Sequence, residues 1–126
     1  MRVLIVRHAE AAGGEPDELR PLTAEGQEHA RALGERLRAD GFAPEAIVTS
    51  PLLRALQTAT ALGLGEPEVD DRLAPGASPA DVLGAASGRG DTVLVVGHQP
   101  DCGHAVFELA GLEVSFPPAG CYELEL

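Results

Sequence analysis

The chain has 126 residues, nine arginines and no lysine against 20 acidic side chains, so it carries a net charge of −11. A charge of that sign repels nucleic acid and anionic membrane surfaces, and no apolar run approaches the roughly 20 residues of a membrane span. The expectation is one soluble, cytoplasmic domain over residues 1–126, with a single core and no nucleic-acid or membrane partner.

Cys102 and Cys121 are too few for a disulfide framework and lack CxxC spacing, so both are expected as free thiols. With one tyrosine, three phenylalanines and no tryptophan, the core must be built from Leu, Val and Ala. No aromatic platform for stacking bases is available.

In chain order, Val3-Leu4-Ile5-Val6 is a run of branched aliphatics that stops at Arg7-His8, as a strand buried on both faces does. Ala11 to Leu22 is a polar loop with glycine and proline. Ala24 to Ala39 carries Ala30, Leu33 and Leu37 at helical spacing behind Thr23, a predicted N-cap, and Gly41 ends that helix. Ala46-Ile47-Val48-Thr49 reads as a short buried strand. Ser50-Pro51 reads as the cap and start of a second helix reaching Leu62.

A short strand is expected around Glu68 to Asp70, and a capped helix from Ser78-Pro79-Ala80 to Ala86. Thr92-Val93-Leu94-Val95-Val96 is the clearest strand of the chain. It ends at Gly97-His98, and a helix follows from about Asp101 to Ala110. Cys121 to Leu126 alternates apolar and acidic residues, as a half-exposed strand near an edge does.

Strands alternating with helices imply an α/β fold of three layers around a mostly parallel sheet. The carboxyl ends of parallel strands share one edge, which is where ligands of such sheets bind. That edge would present Arg7 and His8, Ser50 with Arg54 behind it, and Gly97-His98. Two histidines, arginine forks and a helix N-terminus together suit an anion, and a phosphoryl group best.

These residues carry a resemblance. Val6-Arg7-His8-Ala9-Glu10 resembles the RHG signature of the histidine phosphatase superfamily, and Arg20-Pro21-Leu22-Thr23-Ala24-Glu25-Gly26 resembles its RPLTxxG element. Ser50 to Thr58 is similar to SPLxRAxQT, and Val96-Gly97-His98 to the second-histidine motif. The four motifs fall in the family's order, and the small size with RPLT points to the SixA-like branch, the phosphohistidine phosphatases. The resemblance implies a phosphoglycerate mutase-like fold with an antiparallel strand at Cys121 to Leu126. It implies His8 as the nucleophile, Arg7, Arg20 and Arg54 as phosphate-binding arginines, and His98 as a hydrogen-bonding partner of the phosphoryl oxygens. No metal and no cofactor are expected.

Two departures matter. Ala9 replaces the glycine of RHG, a small change. Pro75 stands where ester phosphatases and mutases of the superfamily carry a general-acid glutamate, so that acid is missing. Glu10 and Asp81 are the carboxylates left that could reach a leaving group, although Glu10 is more simply a loop carboxylate paired with a nearby arginine. His29 belongs to a solvated helix face, Cys102 and His104 lack the second close pair of a metal site, and Ser50 is an N-cap rather than a nucleophile. Two functions of different class follow: a metal-independent phosphatase acting through His8, on phosphohistidine in a protein or on small phosphate esters, or a non-catalytic module that binds a phosphate or a phosphoprotein.

Overall fold

The computed structural model describes all 126 residues. Its elements are β1 (Arg2–Arg7), α1 (Ala24–Ala39), β2 (Ala46–Thr49), α2 (Leu53–Ala61), β3 (Pro67–Val69), α3 (Pro79–Ala86), β4 (Thr92–Gly97), α4 (Asp101–Ala110) and β5 (Cys121–Glu125). One five-stranded sheet has the order β3-β2-β4-β1-β5. β1, β2, β3 and β4 pair in parallel and β5 runs antiparallel to β1 at the edge. This is the expected mostly parallel α/β fold of three layers.

The aliphatic runs divide their side chains by strict alternation. Val3, Ile5, Val93 and Val95 pack with Val82, Ala85, Ala86, Ala105 and Val106, under α3 and α4. Leu4, Val6, Ile47, Leu94 and Val96 pack with Leu33, Leu37, Ala55, Ala59 and Leu62, under α1 and α2. Burying each such Val or Leu contributes about 1.5–3 kcal/mol, so the central strands hold the two helical layers together. The alanines on the helices let the layers close with few large side chains. No helix is long and apolar enough to cross a membrane.

Local signals set the helix starts. Thr23 Oγ1 accepts from the Gly26 amide at 2.9 Å, and Ser78 and Asp81 form a reciprocal capping box. The expectation for Ser50 is overturned. α2 begins at Leu53 with no side-chain cap, because the Ser50 amide still donates to Val96 O at 3.1 Å. The backbone is therefore still in the sheet at Ser50, and a helix can start only after the turn at Pro51 and Leu52. β3 lies one residue earlier than expected, with Pro67 as its first residue, a position on an edge strand that tolerates a missing amide.

α1 and α2 meet backbone to backbone at Gly34. A Cβ there would lie 1.9 Å from Leu62 O. Gly34→Ala would gain about 1 kcal/mol of helix propensity, but overpacking costs about 1–3 kcal/mol and should win. Thermal unfolding should show a lower Tm for Gly34→Ala and no change for Gly13→Ala, whose Cβ would meet nothing within 4 Å.

Candidate active site

The register of the central strands builds the site. β1 and β4 pair with Arg7 opposite Gly97, so the next residues, His8 and His98, leave the sheet side by side. Their ring centroids are 5.2 Å apart with the planes at 60°, and the His8 amide is still held by Gly97 O at 3.0 Å. β2 lies on the other side of β4, which brings Ser50 against His98, with Oγ 2.8 Å from Nε2. Arg54 lies in the first turn of α2, beside that helix's free amides.

His8 Nδ1 lies 2.7 Å from the carbonyl oxygen of Ala9. A carbonyl can only accept, so Nδ1 carries the proton and Nε2 keeps a free lone pair. Ala9 is fixed in turn: its amide donates to Thr58 Oγ1 at 3.0 Å, and that hydroxyl donates to Arg54 O at 2.8 Å. Burial lowers the His8 pKa below 6.5; the Ala9 carbonyl opposes this, and the guanidinium groups of Arg54, Arg7 and Arg20 reinforce it. His98 is lowered to about 4, by burial first and then by His8 and Arg54. Both rings are therefore neutral at neutral pH.

Three arginines reach this edge. Arg7 Nη1 donates to Phe116 O at 3.0 Å, while its Nε is buried with no partner in the protein. Arg54, only 7% exposed, donates through Nη1 to Asp17 O at 2.9 Å and through Nη2 to Asp17 Oδ2 at 3.2 Å. Arg20 donates from Nε to Ala12 O at 2.8 Å and from Nη1 to Asp17 Oδ1 at 3.0 Å.

Asp17 is the residue that the sequence reading missed. One carboxylate holds the forks of two arginines, and they keep its pKa below the usual carboxylate range. Guanidinium groups arranged to grip a carboxylate can grip the oxygens of a phosphoryl group in the same way. The available signal was an acid three residues before Arg20. In a loop that also holds Glu10, Glu15 and Glu18 it was not distinctive.

The other candidate carboxylates are engaged elsewhere. Glu10 pairs with no arginine; its Oε1 accepts from Thr23 Oγ1 at 2.8 Å, because the RPLT segment folds back onto residue 10. Asp81 is held in the capping box of α3. Asp101 Oδ2 accepts from the amides of Gly76 at 2.9 Å and Ala77 at 3.1 Å, which ties down the turn carrying Pro75. His29 is exposed. Both cysteines are free, and burial pushes the Cys102 thiol up to about 12, which makes it inert as a nucleophile. None of the molecule's concave cavities is lined by His8, Arg54 or His98.

Comparison with known proteins identifies the family. Residues 3–75 match the model of the histidine phosphatase superfamily (branch 1). The phosphohistidine phosphatase SixA of Escherichia coli (strain K12) is 33% identical over 120 residues, covering 86% of this chain and 74% of that protein. An uncharacterised protein of Picosynechococcus sp. is 35% identical over 114 residues, covering 82% of this chain and 69% of its own. The solved structure of the protein histidine phosphatase SixA complexed with tungstate superposes with a TM-score of 0.89 at 30% identity, covering 100% of this chain and 88% of that one. Motif order, sheet topology and these likenesses agree: the chain belongs to the histidine phosphatase superfamily, in its SixA-like branch, and its class of activity is that of a phosphatase.

Proposed function

We infer that the chain is a protein phosphohistidine phosphatase working through a phosphoryl group carried on His8. The observation that carries this reading is the bond from His8 Nδ1 to Ala9 O at 2.7 Å, which leaves Nε2 as the one free lone pair on that ring. In the first step Nε2 forms a bond to phosphorus while the phosphorus–nitrogen bond of the substrate breaks, and the leaving imidazole takes the electron pair. It departs neutral when its other nitrogen already carries a proton. Water then attacks the phosphoryl group on His8, releasing phosphate and restoring the ring. Arg7, Arg20 and Arg54 would stabilise charge on the equatorial oxygens, and His98 would hydrogen-bond to them.

One feature favours phosphohistidine over an ester. Ester cleavage expels an alkoxide that needs a proton in the transition state, and Pro75 stands where superfamily ester phosphatases have their acid. The carboxylate that remains at the site, Asp17, is held ionised by Arg20 and Arg54 and is a poor donor. Similarity to proteins described as phosphohistidine phosphatases points the same way.

If His8 is the nucleophile, His8→Ala should abolish turnover. Rapid quenching of wild type with labelled substrate should trap an acid-labile, base-stable adduct, and chelators should change nothing. Full activity of His8→Ala would contradict the mechanism. The lowered His8 pKa also fixes a sign. Protonated His8 cannot attack, so kcat/KM should fall as pH drops through a value below 6.5 and show no further histidine limb above it. A pH–rate profile with its acid limb at or above 6.5 would contradict this.

Substrate order tests the missing acid. A phosphohistidine peptide should be cleaved best, aryl phosphates next because phenolates leave easily, and alkyl phosphates poorest. The last gap should be about 10²–10⁴ fold in kcat/KM, which is the usual contribution of a positioned acid. Equal values for an alkyl phosphate and the peptide would mean that a substitute acid exists and that small esters are the substrates.

A further inference from the structure

We propose that Ser50 is a positioning residue that fixes the tautomer of His98, holding its ring proton on Nδ1 so that the ring offers an N–H to the phosphoryl oxygens. The proposal rests on the phosphoryl-transfer reading for what His98 meets, but the tautomer itself follows from hydrogen-bond accounting.

Ser50 is fully buried at the end of β2. Its Oγ accepts from the Leu52 amide at 3.2 Å and lies 2.8 Å from His98 Nε2. A hydroxyl has one proton to donate, and the Ser50 hydroxyl has no other acceptor within reach. Directed anywhere but at Nε2, that proton would be buried and unpaired, at a cost of about 1–3 kcal/mol. Ser50 therefore donates, Nε2 accepts, and a neutral ring must carry its own proton on Nδ1.

With the Ser50 proton directed at Nε2, only His98 Nδ1 is left unpaired, whereas the other tautomer would leave both the hydroxyl proton and Nδ1 unpaired. Nδ1 is buried and has no partner in the protein, although His98 as a whole is only 3% exposed. As a bare lone pair beside a bound anion it would be repelled. As an N–H it is a donor lacking only its acceptor, and a phosphoryl oxygen supplies one. His8 keeps its proton on Nδ1 through the Ala9 carbonyl, leaving Nε2 bare to attack; His98 keeps its proton on Nδ1 through a hydroxyl, to donate. The same tautomer is set by opposite partners, for opposite tasks.

The experiment is nitrogen NMR of the full chain labelled at histidine, at neutral pH. The His98 signals are identified by their absence in His98→Gln. Wild type should show Nδ1 protonated and Nε2 bare, and a proton on Nε2 would overturn the proposal. In Ser50→Ala the proton should shift toward Nε2. Turnover of a phosphohistidine peptide should then lose about 10-fold or more in kcat with KM changed less, within the about 10²–10³ fold that losing a whole transition-state donor costs. Ser50→Thr, which keeps the hydroxyl, should recover both the tautomer and most of kcat. An unchanged tautomer and unchanged kcat in Ser50→Ala would overturn the proposal. The wild-type spectrum decides the tautomer even where a variant fails to fold. Absence of turnover on any phosphorylated substrate, with His98 still protonated on Nδ1, would overturn the proposed function while supporting this assignment.

Discussion

The parallel pairing of β1 with β4 sets Arg7 opposite Gly97, and the chemistry of the sheet edge depends on that register. A slip of one residue would exchange the two buried faces of β1, turning Leu4 and Val6 toward α3 and α4. It would also part the histidines. The same aliphatic packing that stabilises the core thus holds His8 and His98 at 5.2 Å. Each ring leaves the sheet one residue past its last paired position, so neither depends on a long loop for its placement.

Electrostatics complete what the register begins. The chain carries −11 overall, yet it brings three guanidinium groups to one edge beside two rings that burial keeps neutral. Asp17 reconciles these demands. Its carboxylate lies between Arg20 and Arg54 and keeps them from being left as uncompensated like charges. Arg7 is treated differently, since its Nε is buried with no partner in the protein. The arginines are arranged by protein acceptors, the carbonyls of Phe116, Ala12 and Asp17, and this lowers the reorganisation needed when an anion binds.

Much of this was legible in the sequence, because the signals involved are local. Branched aliphatics mark β1, β2 and β4, helical spacing marks α1, and Thr23 and Ser78 cap as read. The candidate site residues Arg7, His8, Arg54 and His98 sit at strand ends and a helix start, where the α/β pattern directs attention. What escaped depends on partners distant in sequence. Ser-Pro before a helix looks like a cap whether or not the hydroxyl caps anything, and the group that claims Ser50 is 48 residues away. Asp17 and Glu10 could not be assigned because a loop carboxylate takes whichever donor the fold brings to it. Glu10 received Thr23 and Asp17 received two arginines.

The segment after β1 is fastened at both its ends. Ala11 bridges Leu22, the Ala12 amide donates to Pro21 O at 2.8 Å, and the Thr23 amide to Glu10 O at 3.0 Å. Gly26 closes the joint, since a Cβ there would lie 2.2 Å from Glu10 O. Residues between these fasteners form a detachable panel: its length can change at little entropic cost without shifting the end of β1 in front of it or α1 behind it. Asp17 and Arg20 ride on that panel, whereas His8, Arg54 and His98 belong to the frame. Descendants of such a chain can therefore replace Asp17 and Arg20, and with them the acceptor that holds Arg54, by exchanging one loop, while His8 and His98 stay in place.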